Sequence, residues 1–302
     1  MTSRIGILGA GAIGQLLCWQ LRHHQPILLG RQAAPDCFIH TDLDGQRHRF
    51  SPQYRQLNDK KLSDIGLLIV TVKAYQVMDA LLPLLSSLSA DCAVLLLHNG
   101  MGPHLQLAPV LQGRDLLLGT TSQGALREAS GRDCWHVRHT GTGLTQIGLL
   151  NGNPARSKSR VQPLLDAIAN AEWTEDILMA LWQKLAVNAA INPLTAIHNC
   201  RNGELATAGH CATIQAIVAE LVTTAAADGI ILDESALLAR VYQVITLTAN
   251  NFSSMHQDVA HGRQTEIDAI NGFVVSRAEA LGIDTPYHRD MMAKVRALGS
   301  VQ

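Results

Sequence analysis

At 302 residues, 47% of them hydrophobic and 16% charged, the chain can build two domains with cores of their own and is too apolar to be disordered. Its formal net charge of -1, with Lys and Arg scattered, supplies no basic footprint, so nucleic acid and anionic membrane surfaces are excluded as expected partners in favour of a small molecule. Six cysteines (Cys18, Cys37, Cys92, Cys134, Cys200 and Cys211) never fall in a C-x-x-C spacing and mostly have apolar neighbours, which predicts reduced core thiols and a cytoplasmic protein. The chain turns Gly-rich by Gly9, too soon for a secretory apolar segment, and no later run approaches the roughly 20 apolar residues of a spanning helix. A soluble protein without a targeting segment is expected.

In chain order, Arg4 to Leu8 reads as a short apolar strand. It runs into Gly9-Ala10-Gly11-Ala12-Ile13-Gly14 and then a helical stretch through Leu16, Leu17, Trp19 and Leu21. This is the G-x-G-x-x-G fingerprint between a strand and a helix, the context that dinucleotide binding requires. Gly9 would make the tight turn, Gly11 would let backbone approach a pyrophosphate, and Gly14 would let helix pack closely on strand. The anion would sit on the helix N-terminus. A second strand, Ile27 to Leu29, ends in Gly30-Arg31-Gln32 where an NAD site usually carries an acidic residue. Arg31 can pair with a 2'-phosphate, so NADPH/NADP+ is the expected cofactor; a solvated surface arginine is the other reading.

Residues 37 to 50 alternate around Asp44-Gly45, a hairpin-type turn, and look like a β insertion in the sheet. Ile65 to Val72 and Cys92 to Leu97 are continuous apolar runs, as buried parallel strands should be. They lead to Lys73 and to His98-Asn99-Gly100-Met101-Gly102. Ligands gather at the carboxyl ends of such strands, so Lys73 and Asn99 are candidates for the cofactor, against a solvated helix start and plain turn chemistry. Another strand, Asp115 to Gly119, precedes the small residues up to Ala125, and Cys134 to Leu149 reads as two strands around Gly141-Thr142-Gly143. Cys134, His136 and His139 raise the question of zinc, but strand alternation and the missing fourth ligand give none as the expectation.

The most loop-like stretch runs from Asn151 to Arg160, ahead of a helix over 161 to 169 and a short strand over 172 to 174. The domain boundary is set there: 1–174 a Rossmann-type α/β dinucleotide-binding domain, 175–302 an all-α substrate and catalytic domain. Helical spacing marks 177 to 192, 210 to 228, 234 to 250 and 264 to 281, with Gly229 and Gly282 as C-terminal caps of two helices.

The first of these helices carries Lys184, Asn188 and Asn192 at intervals of four, a polar stripe on an otherwise apolar cylinder. Such a stripe is either a solvated face or a buried set that a substrate completes. Pro193 predicts an end or a kink just past Asn192. A second polar concentration, from Asn250 to Ser254, and the run Thr265-Glu266-Ile267-Asp268 could be helix caps or parts of a site.

Taken together, Gly9 to Gly14, Val72-Lys73-Ala74, His98 to Gly102, Lys184 to Asn188, Ile191 to Ala196, Asn202-Gly203-Glu204-Leu205, Ser253-Ser254-Met255 and Thr265 to Asp268 closely resemble the ketopantoate reductase (2-dehydropantoate 2-reductase) family, in order, from residue 3 to about residue 285. The resemblance implies NADPH-dependent reduction of 2-dehydropantoate to (R)-pantoate on the way to pantothenate and coenzyme A. It makes Lys184 the proton donor, with Asn188, Asn192, Asn202, Asn251 and Ser254 around the substrate. It has Arg31, Lys73, Asn99, Ala125 and Glu266 contacting the cofactor or organising the site, which the family places in a cleft between the domains. A monomer or homodimer is expected. Two rivals stand beside it: a hydroxyacid dehydrogenase of the 6-phosphogluconate type, which also has a K-x-x-x-N helix, and a non-catalytic NADPH sensor.

Overall fold

The computed structural model describes residues 4–57, 62–111, 113–128 and 134–299; residue 3, where the resemblance begins, lies outside them. The described residues form two compact units, one within 1–98 and 103–177, the other within 99–102 and 178–302.

The first unit is built on an eight-stranded sheet. Its strands are β1 (Arg4–Leu8), β2 (Ile27–Gly30), β5 (Gln53–Gln56), β6 (Ile65–Val70), β7 (Ala93–Leu96), β8 (Leu116–Thr121), β11 (Thr145–Asn151) and β12 (Ala171–Trp173), in the order β12-β11-β8-β7-β6-β1-β2-β5. Every neighbouring pair is parallel except β8 with β11. The apolar run of β6 is buried at all six positions, which only a sheet covered on both faces allows. After β1 the chain adds β2 on one side and later β6 on the other, so the strand order reverses at β1, the place where sheets of this kind take ligands. The helix α1 (Ala12–Gln20) follows β1 directly. Short helices α2 (Val77–Leu81) and α3 (Pro103–Leu107) and the longer α4 (Pro154–Ala167) complete the unit.

The residue 37 to 50 hairpin is real but is not inserted in that sheet. Its strands β3 (Cys37–Thr41) and β4 (Arg47–Phe50) join β9 (Gly124–Glu128) and β10 (Cys134–Gly141) in a separate sheet, order β4-β3-β10-β9. Consequently β10 and β11, adjacent in sequence, belong to different sheets. Phe38 packs between Phe50 and Trp135, at ring separations of 5.6 and 5.4 Å, and this aromatic pairing gives the small sheet a face of its own. The parallel β3/β10 register sets Cys37 opposite Cys134, and the two form a disulfide. The expectation of six reduced thiols is therefore corrected for this pair: the partners are 97 residues apart, and their proximity arises only from the register.

The stretch read as loop after Asn151 is helical from Pro154 onward. Asn153 caps it by accepting from the Arg156 N–H at 2.9 Å, with Pro154 in the first turn; both are strong helix-start signals. Buried Asp115 anchors this end, accepting from the Asn153 backbone at 3.1 Å, Arg156 Nε at 2.8 Å and Ser157 Oγ at 2.9 Å.

The second unit is helical: α5 (Ile177–His198), α6 (Ala208–Ala227), α7 (Glu234–Leu247), α8 (Ser254–Ala260), α9 (Ile267–Ala280) and α10 (Pro286–Gly299). Of these, α8 and α10 had no counterpart in the periodicity. Gly229 and Gly282 close α6 and α9 with positive φ of 85° and 72°; Ile230 and Ile283 bond back to the Ala225 and Ala278 carbonyls at 2.8 and 2.9 Å, the Schellman pattern. Helix α6 is, by length and composition, apolar enough to cross a membrane, contrary to expectation. Within the unit it buries Ile214, Ile217, Val218 and Leu221, the face a core helix presents.

Pro193 neither ends nor interrupts α5, which runs on to His198. The carbonyl that Pro193 cannot satisfy, that of Ala189, accepts instead from Asn271 Nδ2 of α9 at 3.2 Å, and Thr195 Oγ1 lies 3.0 Å from the Ile191 and Asn192 carbonyls. A tertiary donor, Asn271, has overridden the local breaker.

Candidate active site

The glycine loop is shaped by backbone geometry. Gly9 has φ of 114°, and a Cβ on Gly14 would lie 1.9 Å from the Gly9 carbonyl oxygen, so the first and third glycines are required by turn and packing. A Cβ on Gly11 would meet nothing within 4 Å. That open space, beside an α1 N-terminus with no side-chain cap, fits a phosphate approaching the free N–H groups. Thr71 Oγ1 braces the loop at 3.1 Å from the Leu8 and 3.0 Å from the Gly9 carbonyl, and Gln15 Nε2 donates to the Ala10 carbonyl at 2.9 Å.

Other nucleotide-side candidates of this unit follow the sheet's carboxyl edge. Arg31 is exposed immediately after β2, where a 2'-phosphate would find a cation in solvent reach, and Tyr54 donates to the Gln32 carbonyl at 2.6 Å, holding the turn that carries it. Lys73 follows β6 and is half-buried; Ala125 lies near the start of β9, also half-buried. A hydrogen bond of 2.7 Å between Gln20 of α1 and Gln123 ties the segment before Ala125 to the helix.

In the second unit, Lys184, Asn99 and Glu266 come together from three distant stretches. Gly100, with φ of 75°, lies so close to α9 that a Cβ there would stand 2.4 Å from the Ala269 carbonyl, and Met101 N donates to that carbonyl at 2.8 Å. This lays Asn99 beside Glu266, which stands at the N-terminus of α9 and is 4% exposed. Asn99 Oδ1 accepts from Lys184 Nζ at 3.2 Å, while its Nδ2 donates to Glu266 Oε2 at 3.3 Å. Each end of the carboxamide thus has the partner its chemistry demands. Burial lowers the Lys184 pKa from its ordinary 10.5 to about 8, with the Glu266 charge acting against that fall. A cation so tuned can release its proton near neutral pH far more readily than an exposed lysine.

Further along α5, Asn188 is half-buried and Asn192 is 8% exposed, so the stripe is not a solvated face. Asn202 and Asn251 are brought together by a 3.0 Å hydrogen bond from the Asn202 N–H to the Asn251 carbonyl. Asn202 Nδ2 donates to Thr248 Oγ1 at 2.8 Å, whereas its Oδ1 is buried without a hydrogen-bond partner among the described residues, a polar atom that a ligand donor would satisfy. Asn251 and Ser254 are exposed. Ser254 opens α8 next to Ser253, whose Oγ caps the helix by accepting from His256 N at 3.0 Å and lies 2.7 Å from Thr195 Oγ1 of α5. Thr195 and Ser253, which tie these two helices together, lie within stretches that carry the family resemblance, but their pairing had no sequence signal. Among the zinc candidates, Cys134 is in the disulfide, His136 Nε2 lies 2.7 Å from Thr41 Oγ1, and His139 Nε2 lies 3.0 Å from the Gly141 carbonyl.

Comparison with known proteins shows the family. Residues 5–152 match the family described as "Ketopantoate reductase PanE/ApbA" and residues 176–299 its C-terminal domain. The chain is 41% identical to 2-dehydropantoate 2-reductase of Vibrio cholerae, covering 97% of each, and 37% identical to that of Escherichia coli O157:H7, covering 97% of this chain and 94% of the relative. Among solved structures, D-mandelate dehydrogenase with NADH and anilino(oxo)acetate superposes with a TM-score of 0.89 at 25% identity over 98% of both chains, and a probable 2-dehydropantoate 2-reductase of Bacillus subtilis with 0.79 at 28% over 98% and 99%.

Proposed function

Because the chain belongs to the ketopantoate reductase family, we propose that it reduces 2-dehydropantoate to (R)-pantoate with NADPH, a step toward pantothenate and coenzyme A, and that Lys184 supplies the proton. The observation that carries this reading is the half-buried Lys184, hydrogen-bonded through Asn99 to the buried Glu266. When bound, the reduced nicotinamide supplies a hydride. On the first unit, Gly9, Ala10, Gly11, Ala12, Ile13 and Gly14 would hold the pyrophosphate and Arg31 the 2'-phosphate, with Lys73 and Ala125 lining the cofactor's path.

On the second unit, reduction of a keto carbon leaves negative charge on its oxygen. Lys184 meets that charge as an ammonium and then gives up a proton, so charge and proton are both resolved by one group. Asn99 holds the Nζ in place through its Oδ1. Glu266, by opposing the effect of burial, raises the Lys184 pKa and so favours the protonated lysine. Asn188, Asn192, Asn202, Asn251 and Ser254 offer neutral donors for the substrate's hydroxyl and carboxylate, orienting it without adding opposing charge.

A second reading is favoured by the likeness to D-mandelate dehydrogenase, a structure described with NADH: reduction of a different 2-oxo acid with NADH. The cation Arg31, where an acidic residue would suit NADH, weighs against it. Purified protein mixed with NADPH or NADH and a panel of 2-oxo acids, followed by nicotinamide absorbance, separates the readings. Selective turnover of 2-dehydropantoate with NADPH is expected. Preference for another acid or for NADH favours the second reading, and binding without turnover indicates a sensor.

A further inference from the structure

Pro193 puts a fault within the functional stripe of α5. Having no N–H, it leaves the Ala189 carbonyl without its helical donor, in the turn that follows Asn188 and contains Asn192. Ala189 is fully buried, so water does not repair the loss and an unpaired carbonyl there would favour a kink. Asn271 of α9, 0% exposed, donates from Nδ2 to that carbonyl at 3.2 Å.

The orientation of this amide is set by a chain of partners. His288 Nε2 lies 3.0 Å from the Ile217 carbonyl, which can only accept, so Nε2 carries the proton and Nδ1 is the acceptor. Asn271 Nδ2 lies 3.2 Å from that Nδ1, which makes the facing atom the nitrogen. Burial holds the His288 pKa down at about 4, so the ring stays a neutral acceptor. Both Nδ2 protons are therefore used, one on α10 and one on α5.

We propose that Asn271 is a positioning residue: its carboxamide supplies the hydrogen-bond donor that Pro193 lacks, holding the 189–193 turn within a continuous helix so that Asn188 and Asn192 keep their places relative to Lys184. This rests on reading the α5 stripe as the oxo-acid site. Thr195, bonded across to Ser253, braces the same helix beyond the proline.

The test is a double-mutant cycle, because Pro193→Ala restores the missing N–H. Asn271→Leu should raise KM for 2-dehydropantoate and lower kcat/KM about 10- to 100-fold, the scale of a slightly misplaced substrate, with NADPH affinity unchanged. Pro193→Ala alone should keep wild-type turnover, and the double variant should recover most of the lost kcat/KM. A double variant as impaired as Asn271→Leu, or an unimpaired Asn271→Leu, overturns the proposal: packing alone would give no rescue. If Asn271→Leu does not fold, Asn271→Ser is read in the same cycle. If the wild-type protein turns over no 2-oxo acid, the functional reading fails separately, and amide hydrogen exchange over residues 189–197 decides. Exchange should quicken in the Asn271 variant and slow again in the double variant; equal exchange in all four proteins overturns the proposal.

Discussion

The glycine loop and the Lys184 cluster solve opposite problems. The loop presents backbone: its specificity lies in side chains that are missing, at Gly9, Gly11 and Gly14, and all its parts fall within six consecutive residues. The cluster presents side chains, Asn99, Lys184 and Glu266, delivered from three separated stretches and held by burial. Adding an atom should damage the first, and removing a functional group should damage the second.

The largest effect is expected from removal. Lys184→Ala should lower turnover about 10²- to 10⁴-fold, or about 3 to 5 kcal/mol of barrier, while NADPH titration gives an unchanged affinity. Next come two additions that separate the roles of the glycines. Gly14→Ala drives a Cβ against the Gly9 carbonyl; overpacking of this kind costs about 1 to 3 kcal/mol, so both melting temperature and NADPH affinity should fall. Gly11→Ala meets nothing in the protein and should leave the melting temperature alone while weakening NADPH binding about 10-fold or more. Equal stability losses in the two variants would erase the distinction.

Of similar size to the Gly11→Ala effect, Arg31→Ala should reduce the NADPH over NADH preference about 10-fold or more, the worth of a charged hydrogen bond, measured as the ratio of kcat/KM values. The smallest change is a shift in pH. Glu266 opposes the lowering of the Lys184 pKa, so Glu266→Gln should move the alkaline loss of activity to lower pH. A shift to higher pH would contradict the electrostatic role.

This contrast also explains what could be read before the fold was known. The loop was legible because its chemistry is local: strand, three glycines, helix. The parallel strands were legible from apolar runs such as Ile65 to Val72, of which the strand takes Ile65–Val70. In the helical unit the spacing of Lys184, Asn188 and Asn192 exposed a polar stripe but left solvent and substrate as equal readings, since burial is a tertiary property. As a sign of a helix end Pro193 misled for the same reason, its lost donor being made good by Asn271, 78 residues later in the numbering. The disulfide between Cys37 and Cys134 and the second sheet likewise depend on strand register, which no local pattern encodes. The start of α4 is different: Asn153-Pro154 was a readable cap whose signal yielded to the polar composition of the segment after it.

The pH dependence of single-turnover reduction of 2-dehydropantoate by NADPH tests most directly whether a desolvated Lys184 is the acid. A group with a pKa lowered to about 8 is protonated below that pH, so the rate should be flat on the acid side and fall about tenfold per pH unit above about 8; Lys184→Ala should be slow throughout and lack this fall. A wild-type rate that rises through pH 8, or a Lys184→Ala variant that retains both the rate and the alkaline limb, would contradict it.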